Sequence, residues 1–234
     1  MRTWLITLSL LTGCGWSSAD AVDASSVTRA HALDEVPPST VRRLDVPRIM
    51  GTWYVVATNY DFWAGRANTT ISYEPIDGPV GVDPSLVKLR DVVAYTDGFG
   101  GDATPGTVVG VDLQDPSLAG HFQWRGDGLL HVIVSHWYVV AVDPDYRWLV
   151  TYFADSNVGT GAGMDIYARE PCLPVEQEAA AIAAIFADAW LAERAGGLFR
   201  VAHDEGERCR RVLSQAESTS ASRRGAGSPR SSRR

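Results

Sequence analysis

The sequence predicts an all-β domain, an antiparallel sandwich or barrel followed by one helix, and three observations carry that expectation. From Gly51 onward the chain is a series of short segments rich in Val, Tyr, Trp and Thr. Asp, Gly, Pro and Asn clusters cut that series at the spacing antiparallel strands need. Beyond Pro171 the pattern changes to a single stretch of helical period. With 45% hydrophobic and 21% charged residues in a chain of 234, there is apolar material for one domain of ordinary size.

In chain order, strands are expected over residues 52–60, 68–75, 87–95, 107–112, 121–124, 129–134, 137–143, 148–154 and 163–169. Between them stand Asp77-Gly78-Pro79, Asp97-Gly98, Asp115-Pro116, Asp127-Gly128, Asp143-Pro144-Asp145 and Asp155-Ser156-Asn157. Such side chains bond their own backbone or accept the φ values that tight turns demand. Residues 176–194 then place Ala180, Ile182, Ala183, Ile185, Phe186, Ala189, Trp190 and Leu191 at spacings of 3 and 4, opposite Glu178, Asp188 and Glu193, and stop at Gly196-Gly197. Residues 198–202 read as a last strand. Closing about eight antiparallel strands on themselves removes the exposed edges and leaves an interior wide enough for one small ligand, with the amphipathic helix packed outside.

Three motifs narrow the fold. Leu44-Asp45-Val46-Pro47-Arg48-Ile49-Met50-Gly51-Thr52-Trp53 resembles the entry turn and Gly-x-Trp first strand of lipocalins. Trp137-Tyr138-Val139-Val140-Ala141-Val142-Asp143-Pro144-Asp145-Tyr146 is similar to that family's sixth strand and the turn after it, and Ile166-Tyr167-Ala168-Arg169-Glu170-Pro171 to the end of its eighth. The resemblance covers residues 44–202 and is nearest to the bacterial outer-membrane lipoprotein lipocalins. It implies an eight-stranded antiparallel up-and-down β-barrel with one C-terminal helix packed outside. It also implies that Trp53 plugs the closed end beneath Arg169 in a cation–π contact, with Gly51 allowing the tight entry.

Alternation along a barrel strand then assigns a lining. Anchored on Trp53, it points Val55, Ala57 and Asn59 inward; counted back from Arg169, it points Tyr167 and Asp165 inward. The family match adds Trp137, Val139 and Ala141 on the sixth strand, and Trp148, Val150 and Tyr152 on the seventh. This lining is apolar and aromatic with a few polar groups, which implies a small hydrophobic ligand such as a fatty acid or lysophospholipid. Asp165 and Gly163 depart from the family pattern. An inward Asp165 would disfavour a carboxylate ligand, whereas a β-bulge within 159–163 would turn it outward. Tyr60, Phe62 and Trp63 stand in the loop expected at the barrel mouth, as exposed apolar residues available to a lid or a partner.

The two ends carry a different message. Residues 1–13 have the charge, apolar run and small residues of a short signal peptide, and Leu11-Thr12-Gly13-Cys14 resembles the lipobox of bacterial lipoproteins. That implies acylation of Cys14, for instance by palmitate, and Gly15 behind it suits export to the outer membrane, facing the periplasm. Residues 14–40 read as a flexible tether, 41–217 as the lipocalin domain, and 218–234 as a disordered tail with five Arg and no acid. Cys172 and Cys209 remain as an even pair in an oxidising compartment, for which a disulfide is the default.

A net charge of -7 argues against nucleic acid as a partner. His131 and His136 lack a carboxylate at metal spacing, so no metal is expected, and no cofactor motif is present. No serine sits in a nucleophile elbow. The chain therefore reads as a binding protein with no catalytic residues; the alternatives are a lipocalin-fold enzyme acting on a small apolar substrate, resting on Asp165 and Tyr152 inside the barrel, and a structural lipoprotein with a filled barrel.

Overall fold

The computed structural model describes residues 38–76, 87–98, 100–204, 206 and 208–216. The signal at 1–13, Cys14, the tether up to residue 37, the turn at 77–79 and the tail at 218–234 lie outside the described residues. After a helical turn α1 (Val46–Ile49), strands β1 (Gly51–Thr58), β2 (Arg66–Pro75), β3 (Lys88–Asp97), β4 (Thr104–Gln114), β5 (His121–Gly126), β6 (Val134–Val142), β7 (Trp148–Phe153) and β8 (Gly163–Ala168) follow one another. Each pairs antiparallel with the next, and β1 pairs with both β2 and β8, so the sheet closes as an up-and-down barrel. Two helices, α2 (Val175–Phe186) and α3 (Ala189–Arg194), and a short strand β9 (Phe199–Arg200) laid on β1 complete it. This is the eight-stranded barrel that the lipocalin resemblance implies.

Two elements differ from the expectation. Residues 129–134 form no strand. A 3-10 turn at Gly128–Leu130, capped by Asp127 accepting from the Gly128 N–H, takes up that apolar run, and β6 starts at Val134. The expected single helix is two. Asp188 accepts hydrogen bonds from the Trp190 and Leu191 backbone N–H groups and so starts α3 afresh, as an N-cap does.

The closed end is built as expected. The Arg169 guanidinium lies 3.5 Å over the Trp53 ring, and the Trp53 indole N–H donates to the Ile49 carbonyl at 2.8 Å. Arg169 also donates to the Thr52 and Arg48 carbonyls, tying β8 to the entry turn. Gly51 has φ +82°, a value that L side chains rarely adopt. Burial pulls the Arg169 pKa down to about 10, so the residue stays charged. Cys172 and Cys209 form a disulfide that fastens the helix over 208–216 to the segment leaving β8.

The core has two compartments, one on each face of the wall. Inside the barrel lie Trp53, Val55, Ile71, Tyr73, Leu89, Phe122, Trp137, Val139, Leu149 and Tyr167. Outside, Tyr138, Trp148, Val150, Tyr152, Met164 and Ile166 pack under Ala181, Ile185 and Leu191 of the two helices.

Candidate ligand-binding site

One end of the barrel holds a cavity of about 230 Å³ that is partly open to solvent. Its roof is local in origin. A 3-10 turn at Asp61–Trp63, between β1 and β2, swings Tyr60, Phe62 and Trp63 over the opening. Phe62 meets Trp63 edge-on at 4.8 Å and Tyr60 lies parallel to Phe153 at 6.2 Å. The Arg66 guanidinium covers Phe62 at 4.0 Å and Tyr95 at 4.7 Å, pairs with Asp97 at 2.9 Å, and donates to the Phe62 carbonyl. These rings are therefore not an exposed patch: Trp63 is buried, and Tyr60 and Phe62 are partly so.

The deep wall centres on Trp137. Its indole lies between Phe122 at 4.3 Å and Tyr73 at 5.4 Å, both nearly parallel to it. Its N–H donates to Asp112 Oδ1 at 2.7 Å. Ile71, Val93, Val108 and Trp124 supply apolar sides, while Asp91, Ser135, Ser156, Thr160 and Tyr167 supply polar ones.

Of the expected lining, Trp137 and Tyr167 face the cavity, and Val55 and Val139 fill the interior beside it. Asp165 points into the barrel, fully buried, with Oδ2 accepting from the Trp63 indole N–H at 3.1 Å. The expected placement of the others is corrected. A bulge in β1 between Val55 and Ala57 turns Ala57 outward under the helices and leaves Thr58 as the buried inward residue. Asn59 spans outside the wall, donating to the Arg194 carbonyl at 2.7 Å and accepting from the Met164 N–H at 2.7 Å. A second bulge, between Val139 and Ala141, does the same to Ala141.

On β7 the whole register inverts. Leu149, Thr151 and Phe153 belong with the interior, because Thr151 pairs with Val139 and Asp165, and Leu149 with Tyr167. Trp148, Val150 and Tyr152 lie under the helices, where Tyr152 meets Trp190 edge-on at 4.8 Å. The cause is that β7 is apolar on both faces: its outer face is covered by α2 and α3, so alternation carries no sign of which side is in. Tyr152 and Asp165, which catalysis inside the barrel would need together, stand on opposite faces of the wall.

Sequence reasoning missed two residues, Asp91 on β3, which lines the cavity, and Asp112 on β4, which accepts from the Trp137 indole in its wall. Both strands were recognisable, and the alternation Leu89-x-Asp91-x-Val93 holds the signal, but no motif anchored its direction. Asp91 is 7% exposed and Asp112 fully buried. Asp91 Oδ1, Asp112 Oδ2 and Asp165 Oδ1 have no hydrogen-bond partner. Burial pushes all three carboxyls up, Asp165 to about 7, and for Asp112 the nearby Asp91 adds to the rise while the Trp137 hydrogen bond opposes it. Tyr73 and Tyr167 are likewise held neutral by burial. Such a chamber disfavours anions and favours hydrogen-bond donors.

A second polar cluster lies on the outer face of the wall. Asp115 Oδ2 is 3.0 Å from His121 Nδ1, and His121 Nε2 is 2.9 Å from His136 Nδ1. Here a cross-strand pair, not a chelate, explains His136, whose pKa burial and His121 pull down. Among the described residues no group of three His, Cys, Asp or Glu side chains is placed to hold a metal ion.

No family model matches the chain, and no curated protein matches its sequence. Solved structures do resemble it. Lobster apocrustacyanin A1 is 16% identical, with 68% of this chain and 79% of that chain covered and a TM-score of 0.45. Apocrustacyanin C1 is 15% identical over 75% of this chain and 99% of that chain, and apocrustacyanin C2 is 16% identical over 74% and 95%, each with a TM-score of 0.46. At this similarity the function has to be argued from the cavity itself.

Proposed function

We propose that the protein is a lipocalin that sequesters a small hydrophobic ligand in its barrel, held at the periplasmic face of a bacterial outer membrane by an acylated Cys14. The observation that carries the binding half of this reading is the cavity of about 230 Å³, walled by aromatic rings and roofed by Tyr60, Phe62 and Trp63. Taking apolar surface out of water drives uptake, at about 25 cal/mol per Å² gross, and the ordering of ligand and lid returns much of it. Low-micromolar affinity is the expected result. No bond is made or broken.

Drug-sized ligands occupy roughly 300–1,000 Å³. A compact ligand thus suits the cavity as it stands, and a long acyl chain would extend out through its mouth. A fatty acid or lysophospholipid would enter tail first and leave its head group at the mouth, where the Arg66 guanidinium lies over Phe62.

Trp63, Trp124 and Trp137 line the cavity, so occupancy is read by their fluorescence. Titration of the full chain with palmitate, with lysophosphatidylcholine and with a compact aromatic such as ethylbenzene should give saturable quenching at one equivalent for at least one of them. A folded β spectrum with no response to any of the three overturns the carrier reading.

A further inference from the structure

We propose that the deep end of the barrel is a seat for a protonated amine, so that the ligand is a compact molecule with an aromatic or otherwise apolar body and an ammonium group that meets Asp91 and is drawn to the Asp91–Asp112 pair. This rests on the carrier reading above and names the class of ligand.

Asp91 lines the chamber, and Asp112 stands behind it on the adjacent strand, bonded to the Trp137 indole that also lines the chamber. Asp91 stands opposite Gly110, and Asp112 opposite Leu89, so they are diagonal neighbours on the inner face of the β3–β4 ladder. Residues so placed are on the order of 7 Å apart, close enough for one ammonium charge to act on both. Asp91 lines the cavity and is more than nine-tenths buried, yet its Oδ1 has no hydrogen-bond partner. Asp112 is oriented by the Trp137 indole N–H on Oδ1, which leaves Oδ2 unpartnered. No Lys, Arg or His among the described residues bonds either of them.

Buried carboxylates are costly unless a cation meets them. A ligand that brings its own cation offsets that cost, and a neutral or anionic one does not. The walls fit the same guest. Trp137, Trp124 and Trp63 line the cavity and give an apolar, aromatic surround for the body of the ligand. Opposite Asp91 the chain carries glycine, and a Cβ at Gly110 would lie 2.2 Å from the Trp124 indole nitrogen, so the indole occupies the place a side chain would take. A bare divalent metal ion is a poor alternative, because two carboxyls fall short of the six or more oxygens such ions prefer.

The groups facing Asp91 and Asp112 are Tyr73 from β2, which faces both, and Tyr167 from β8, which faces Asp91, and neither is cationic. Raising the pH through the range in which the two buried acids ionise should therefore tighten amine binding.

The test compares 2-phenylethylamine, 2-phenylethanol and ethylbenzene, which share a ring and differ in the end group, by calorimetric titration of the full chain in lipid nanodiscs. At pH 8 the amine should bind at least tenfold more tightly than the alcohol, and the advantage should shrink at pH 5. Asp91→Asn and Asp112→Asn should each cut the amine's advantage over ethylbenzene tenfold or more, with a native β spectrum as the control that the barrel is intact. If the alcohol or ethylbenzene binds as tightly as the amine, or if the variants leave amine binding unchanged, the amine seat is overturned and the carrier reading stands. Failure of all three with palmitate bound also overturns the amine seat alone. Failure of all three and of palmitate overturns both.

Discussion

Trp53 and Arg169 could be placed from the sequence because each sits in a motif whose direction is known, and the structure has the guanidinium 3.5 Å over the indole. Trp53→Ala removes a fully buried ring from the closed end and should cost about 3 to 5 kcal/mol, measured by urea unfolding, with the far cavity still able to bind. Asp165 makes a different prediction. Its carboxyl is raised to about 7 by burial, above the 3.8 of an exposed side chain, so the folded state binds the extra proton and the contribution of this group to stability falls as pH rises from about 4 to 7. Asp165→Asn keeps an acceptor for the Trp63 N–H and cannot ionise. It should therefore stabilise the protein by up to about 4 kcal/mol at pH 8, an advantage that falls to about 1 kcal/mol at pH 4.5. Urea midpoints at the two pH values check it, and equal shifts at both would contradict the buried-charge account. Asp91 and Asp112 escaped the sequence reading because an acid in a strand suggests the solvent side unless something fixes the register.

At the scale of elements, strand existence was clearer than strand register. Bulges in β1 and β6 each insert one residue, and every side chain beyond them changes face: Ala57 and Ala141 leave the interior for the helix interface. Nothing in the local residues announces such an insertion, since Val56 and Val140 are as apolar as their neighbours. The inverted register of β7 has a direct consequence. Tyr152→Ala should lower stability by about 3 kcal/mol through the lost contact with Trp190, and leave ligand affinity unchanged within twofold once the protein is folded. Gly110→Ala should do the reverse. A Cβ there meets the Trp124 ring at 2.2 Å and pushes it into the cavity, weakening binding at least tenfold with a smaller change in unfolding midpoint. The two variants, measured side by side by chemical unfolding and fluorescence titration, separate the inner face of the wall from the outer.

For the molecule as a whole, a closed barrel, an external helical layer and a disulfide between Cys172 and Cys209 frame the chamber at one end of the barrel. Attachment to the membrane is a separate matter, because no helix among the described residues is long and apolar enough to span a bilayer. Cys14→Ser should move the protein from the membrane fraction to the soluble one, and persistence in the membrane fraction would overturn the lipid-anchor reading. The sequence by itself determined the all-β class, the closing helical region, the Gly51-Thr52-Trp53 entry and the cysteine pair, because turn chemistry, period and fixed motifs act over a few residues. Only the tertiary structure decided which face of β7 is the inside, that Asn59 serves as a brace outside the wall, and that Asp91 and Asp112 turn to the inner face of adjacent strands, Asp112 on the Trp137 indole. Those outcomes depend on bulges and on which neighbouring layer covers each face of the sheet, and such constraints come from residues far away along the chain.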